Sequence, residues 1–305
     1  MTSRRIGALS MTPTLVRHHR HGPNTASSPA TDAGARARDW AEIQERMLVP
    51  LYEAAYERLE VGPATRLLGL GCGSGLALLI AASRGAHVTG VEADPGRVAL
   101  ARERLRADGA RTGGSAGGSP GEDTRLYEGE SAAVCDDGPR AYNLVTAFEP
   151  LGCAAGDSEE LATALESAIP LAERGSEVVL AGWGPPERCA TSSVLRVASR
   201  LTETLRATGG GRGWRPALRD DLEDVASRAG LKPDGSGRVA CPFGYADMDS
   251  AVRGLLSTGL FDAAARATDP GQVEKELTEA LHPHVRRDGT VWMSNVFRYL
   301  IARTP

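Results

Sequence analysis

The chain has 305 residues, 41% of them hydrophobic, and a formal net charge of −4. That is enough apolar material for a sizeable core, and the mildly acidic balance gives no electrostatic footprint for nucleic acid or an anionic membrane. Its five cysteines (Cys72, Cys135, Cys153, Cys189 and Cys241) are widely spaced and form no C-x-x-C pair. Neither a disulfide framework nor a thiolate zinc site is suggested, and a reducing, cytoplasmic setting is expected. No apolar run is long enough for a membrane span, and the N-terminus lacks the pattern of a signal peptide.

Residues 1–37 are rich in Ser, Thr, Pro, Ala and Arg without periodicity, and are expected to form a disordered tail. His18, His19 and His21 lie in it and read as solvated side chains rather than metal ligands. One domain is expected over 38–305. Trp40, Ile43, Met47, Leu51, Tyr52, Ala55, Tyr56 and Leu59 fall near a 3.6 period, predicting a helical cap over 38–60 that Pro50 divides in two. An apolar strand then enters Leu67-Leu68-Gly69-Leu70-Gly71-Cys72-Gly73-Ser74-Gly75, and an apolar helix follows over 76–84. His87–Glu92 reads as the second strand, and Asp94-Pro95 starts a helix to about Ala107. Residues 109–123 read as a flexible loop and Thr124–Glu128 as the third strand. Tyr142–Phe148 reads as the fourth strand, 158–173 as a helix with a capping-box spacing at Asp157 and Glu160, and Glu177–Trp183 as the fifth strand. This alternation predicts a doubly wound α/β sheet. The last third reads as helices over 188–207, 219–229, 248–258 and 270–285 around a short strand at Gly237–Cys241. Thr290–Arg303 reads as a long closing strand, antiparallel because no helix follows it.

The chemistry concentrates at the glycine turn. Glycine lets a ligand lie against bare backbone. A strand–turn–helix of this type suits an adenosine-containing cofactor at the carboxyl edge of a parallel sheet. The nicotinamide fingerprint G-x-G-x-x-G would need a third glycine at Ser74 or Leu76; the chain instead has G-x-G-x-G from Gly71 to Gly75. Glu92, at the end of the second strand, can accept both hydroxyls of a ribose. Glu130, just after the third strand, can receive an adenine amino proton. No metal-ligand spacing occurs.

This ordered set resembles the class I S-adenosylmethionine-dependent methyltransferases over about Asp39 to Arg303. The Asp39–Glu45, Gly182–Pro186 and Phe297-Arg298-Tyr299 segments are similar to a small-molecule branch near the ubiquinone/menaquinone-biosynthesis type. The resemblance implies a Rossmann-like seven-stranded sheet, mostly parallel with an antiparallel last strand, under a helical cap. It implies S-adenosyl-L-methionine as cofactor, with Gly69, Gly71, Cys72, Gly73 and Gly75 in the first motif and Glu92 with Ala93 at the ribose. It places Glu130 and Ser131 at the adenine, and Phe148 and Trp40 around the cofactor. Asn143 to Thr146 matches the strand that borders the methionine end. Two positions depart from the family: Gly69 stands where an acid is usual, and Asn143 where aspartate is frequent.

The activity implied is in-line methyl transfer to a small organic acceptor of secondary metabolism, without nucleic acid or membrane partners. Segments 185–216, with Trp183 just before it, and 243–288, with Tyr245, are the expected acceptor side. Glu149 reads as a catalytic base or acceptor anchor, with a structural salt bridge as its alternative. Phe148 and Trp183 either wall the pocket or pack in the core. His282 and His284 flank Pro283 and read as solvated. A nucleic-acid methyltransferase is disfavoured by Glu149-Pro150-Leu151-Gly152 after the fourth strand. The alternative function, raised by Gly69, is a binding or regulatory protein that keeps the fold without turnover.

Overall fold

The computed structural model describes residues 29–112, 124–129, 134, 142–206 and 214–305. In chain order the elements begin with helix α1 (Pro29–Asp39), which starts inside the stretch expected to be a tail and runs past its end. A π-helical turn at Trp40–Gln44 and a 3₁₀ turn at Glu45–Leu48 lead into α2 (Val49–Arg58). Pro50 sits in the first turn of α2. It has no N–H to offer the preceding turn, so the helix changes gauge before it. Strand β1 (Arg66–Leu70), α3 (Leu76–Ser83), β2 (His87–Glu92), α4 (Pro95–Thr112) and β3 (Thr124–Glu128) follow. Then come β4 (Tyr142–Leu151), α5 (Asp157–Ala168), β5 (Ala172–Trp183), α6 (Thr191–Arg206), α7 (Asp221–Arg228), β6 (Lys232–Ala240) and β7 (Phe243–Tyr245). The chain closes with α8 (Met248–Leu256), α9 (Asp262–Ala267), α10 (Pro270–Leu281), β8 (Val291–Met293) and β9 (Val296–Arg303).

Seven strands form one sheet in the order β3-β2-β1-β4-β5-β9-β6. The β1–β2, β1–β4, β2–β3 and β4–β5 pairs are parallel, and β9 runs antiparallel to both β5 and β6. Neighbouring residues alternate between two cores. Leu67, Leu144, Val179 and Ile301 face the side covered by the cap and α3. Leu68, Val145, Val178 and Leu300 face the side covered by α5 and α7. This is the expected two-faced sheet.

Several boundaries differ from the sequence reading. The closing strand is two strands: β8 pairs with β7 in a separate ribbon, and only β9 joins the main sheet. Buried Asn295 makes the break, its carbonyl accepting Cys241 N–H and its side chain accepting Thr191 N–H. Asp157 caps nothing downstream. Its Oδ2 turns back to accept the N–H groups of Gly152, Cys153 and Ala154, and Gly156 precedes the helix instead. Helix α5 is also shorter than expected, because β5 starts at Ala172. The caps at Asp94 and Asp269 are as predicted, accepting from Arg97 N and Gln272 N. Of the expected tail and loop, residues 1–28 and 113–123 lie outside the described residues.

Candidate functional site

Strands β1 and β4 are neighbours, and their crossover connections leave towards opposite sides, so a crevice opens at their carboxyl ends. The glycine turn lies there. Cys72 N–H donates to Val91 O at 2.9 Å, tying the turn to the end of β2. Glu92, 7% exposed, accepts Gly73 N–H at 2.8 Å on one oxygen and Asp94 N–H at 3.0 Å on the other. Each oxygen keeps a further lone pair.

A second carboxylate enters from the cap. Glu45 is 1% exposed. It accepts the N–H groups of Ser74 and Leu76 at 3.1 and 3.5 Å, the Ser74 hydroxyl, and the Arg104 guanidinium at 2.8 Å. It therefore fills the start of α3, where free N–H groups and the helix dipole favour an anion. Burial pushes its carboxyl up from the ordinary range, with Arg104 and the Ser74 hydroxyl pulling the other way. Sequence reading missed this residue, although a signal exists: Ala41, Glu45, Leu48 and Tyr52 follow helical core spacing, which puts an acid on the buried face.

Trp40 lies across the turn. A side chain at Gly73, where φ is +59°, would place Cβ 2.5 Å from the indole and 2.8 Å from Glu45 Oε1, so only glycine fits. The Arg97 guanidinium stacks 4.2 Å from the indole centroid. Trp40, Glu45, Tyr52, Arg97, Phe148 and Glu149 border a cleft floored by Gly69 to Cys72, with about 440 Å³ of empty space including its open mouth. Burial raises the Cys72 thiol, and Glu92 and Glu45 add to the effect. Among the described residues no cluster of His, Cys, Asp or Glu could hold a metal ion, and no helix is long and apolar enough to cross a membrane.

The structure thus brings Gly69, Gly71, Cys72, Phe148, Trp40 and Glu149 to one cleft, while Glu92 and Gly73, hydrogen-bonded to each other at 2.8 Å, are not among the residues that line it. Gly75 faces away, its Cβ direction 3.0 Å from Ala101 on α4, and Ala93 is exposed beside Glu92. Glu130 and Ser131 lie outside the described residues. Glu149 belongs to the end of β4 rather than to a loop after it. Phe148 also packs in the core, 4.9 Å from the Tyr52 ring and 5.5 Å from Tyr56. Trp183 sits in an aromatic cluster with Phe243 and Phe297, and the Tyr245 hydroxyl bonds Gln44 at 3.1 Å. His282 lies exposed on a helix-end turn.

An open crevice at the β1/β4 switch, a glycine turn and an antiparallel β9 inside an otherwise parallel run define a Rossmann-like fold of the class I methyltransferase type. Residues 68–120 match the family model of the methyltransferase domain. The match covers the glycine turn and the three elements after it, and the chain as a whole has the fold of the solved methyltransferases. A methyltransferase candidate from Bacillus halodurans superposes with a TM-score of 0.52 at 12% identity, covering 83% of this chain and 98% of that one. S-adenosylmethionine-dependent methyltransferases from Thiobacillus denitrificans and Geobacter sulfurreducens, each in complex with S-adenosyl-L-homocysteine, superpose at 0.50. The first is 15% identical and covers 92% of this chain and 100% of its own; the second is 16% identical, covering 89% and 98%. No curated protein matches the chain in sequence.

Proposed function

We propose that the cleft binds S-adenosyl-L-methionine and that the protein transfers its methyl group to a small organic acceptor. One observation carries the choice of cofactor. The Glu45 carboxylate already occupies the N–H groups at the start of α3. In dinucleotide enzymes that position takes the pyrophosphate. A phosphate-free adenosine cofactor suits a turn so filled, and a nicotinamide dinucleotide does not. The two relatives crystallised with S-adenosyl-L-homocysteine support the same choice.

In this reading Glu92 accepts the ribose hydroxyls with the lone pairs left by Gly73 and Asp94. Trp40 and Arg97 cover the cofactor, and Glu130 and Ser131 meet the adenine. Phe148 and Tyr52 supply an apolar wall that excludes water. The sulfonium methyl is an activated electrophile, so the protein's task is to hold donor and acceptor in line. Segments 185–216 and 243–288 set the acceptor. Four buried free thiols among the described residues accord with a reducing cytoplasm.

Titration calorimetry tests the proposal. Wild-type protein is expected to bind S-adenosylmethionine and S-adenosylhomocysteine but not NAD(H) or NADP(H); binding the nucleotides alone would reverse the assignment. Gly69 favours a second reading, a fold that binds without turnover. Under it Gly69→Asp raises cofactor affinity; under the first it does not.

A further inference from the structure

The inference rests on the reading of the cleft as an S-adenosylmethionine site, and concerns how the charged amino-acid end is held. Position 69 offers no acid. A side chain there would point at Leu78, 3.0 Å from its Cδ2, with Cys72 Cβ and Leu67 Cδ2 as the next neighbours. Its register partner Gly90 is covered by the same leucine. An apolar plug stands where a carboxylate would be needed.

Three carboxylates remain around the cleft. Glu45 is saturated by Ser74, Leu76 and Arg104. Glu92 is bonded to the turn and to Asp94. Glu149 differs from both. Its Oε2 lies 3.4 Å from the Cβ direction of Gly71, over the turn itself, and among the described residues no hydrogen-bond donor reaches it. Arg97 is its favourable neighbour in charge. Glu149 is solvent-exposed at the edge of the cleft, so its carboxylate is open to a cationic group of an entering ligand. We propose that Glu149 is a cofactor-binding residue that receives the ammonium of the cofactor's amino-acid end, taking over from the absent acid at position 69, rather than a base acting on the acceptor.

Two ligands separate these roles. S-adenosylhomocysteine carries the ammonium; 5′-methylthioadenosine shares the adenosine and sulfur but lacks the amino-acid end. Calorimetry on wild-type, Glu149→Gln and Glu149→Asp proteins is expected to show Glu149→Gln weakening S-adenosylhomocysteine at least about tenfold, the range of a lost charge-assisted hydrogen bond. Its 5′-methylthioadenosine affinity stays within about twofold, and Glu149→Asp falls between for the first ligand. Unchanged S-adenosylhomocysteine binding in Glu149→Gln overturns the proposal, as does an equal loss for both ligands. Wild-type protein that binds neither overturns the cofactor reading beneath it.

Discussion

At Glu45, two demands meet: a buried carboxylate must be desolvated, and the turn's N–H groups must be satisfied. Its folded pKa lies above the ordinary 4.5, with burial as the largest cause. The linkage then has a definite sign. The contribution of a raised carboxyl is full below its unfolded pKa and is lost as pH climbs through the folded value. Urea unfolding should therefore show the stability of wild type relative to Glu45→Gln falling as pH rises above about 4.5; a difference that grows with pH would contradict the raised pKa. The paired glycines give a second residue-scale prediction. Cβ at Gly69 meets one atom at 3.0 Å, whereas Cβ at Gly90 meets Leu78, Cys72 and Leu126 at 2.5 to 2.8 Å. Gly90→Ala should cost about 1–3 kcal/mol, the range of core overpacking. Gly69→Ala should cost less, and thermal melts should rank the two in that order. These residues were only half legible. The glycine spacing and Glu92 stood out as a pattern, but the partners of Glu45 and Leu78 depend on elements far along the chain.

Ion pairs at the scale of elements differ sharply in worth. Asp157 holds the loop after β4 through three N–H groups and through Arg215 at 2.8 Å, which also grips Asp221 at 2.7 Å. These side chains are 12–23% exposed. Asp157→Ala should cost on the order of 3 kcal/mol, because it strands the loop amides and the arginine. The Arg36–Asp262 pair between α1 and α9 has side chains 43% and 40% exposed. Arg36→Ala should cost under about 1 kcal/mol. Denaturant midpoints on both variants check the contrast; equal costs would mean that the Arg215 network contributes nothing special. Proline and aspartate punctuation made α4 and α10 readable in sequence. Asp157 misled because its helix position and its loop role look the same in one dimension.

For the whole molecule, β9 is the keystone, since it is the last strand in the chain and pairs on both sides. Leu300 faces Leu180 on β5 and Ser236 on β6. Proline there removes a ladder hydrogen bond and clashes in a central strand, at a cost of about 3 kcal/mol or more. Leu300→Pro should lose the cooperative unfolding transition by circular dichroism, while Pro233, on the edge strand β6, is tolerated in the native protein. Sequence by itself determined the alternation of strands and helices, the antiparallel character of the final strand, and the glycine turn with Glu92 behind it. These rest on local periodicity, caps and glycine geometry, which neighbouring residues dictate. Only the tertiary structure decided that β8 leaves the sheet, that Glu45 crosses from the cap to fill the start of α3, and that Leu78 takes the space over Gly69. Each of those depends on which distant side chain reaches a buried polar group or a vacant volume first, and that competition is resolved only when the elements pack.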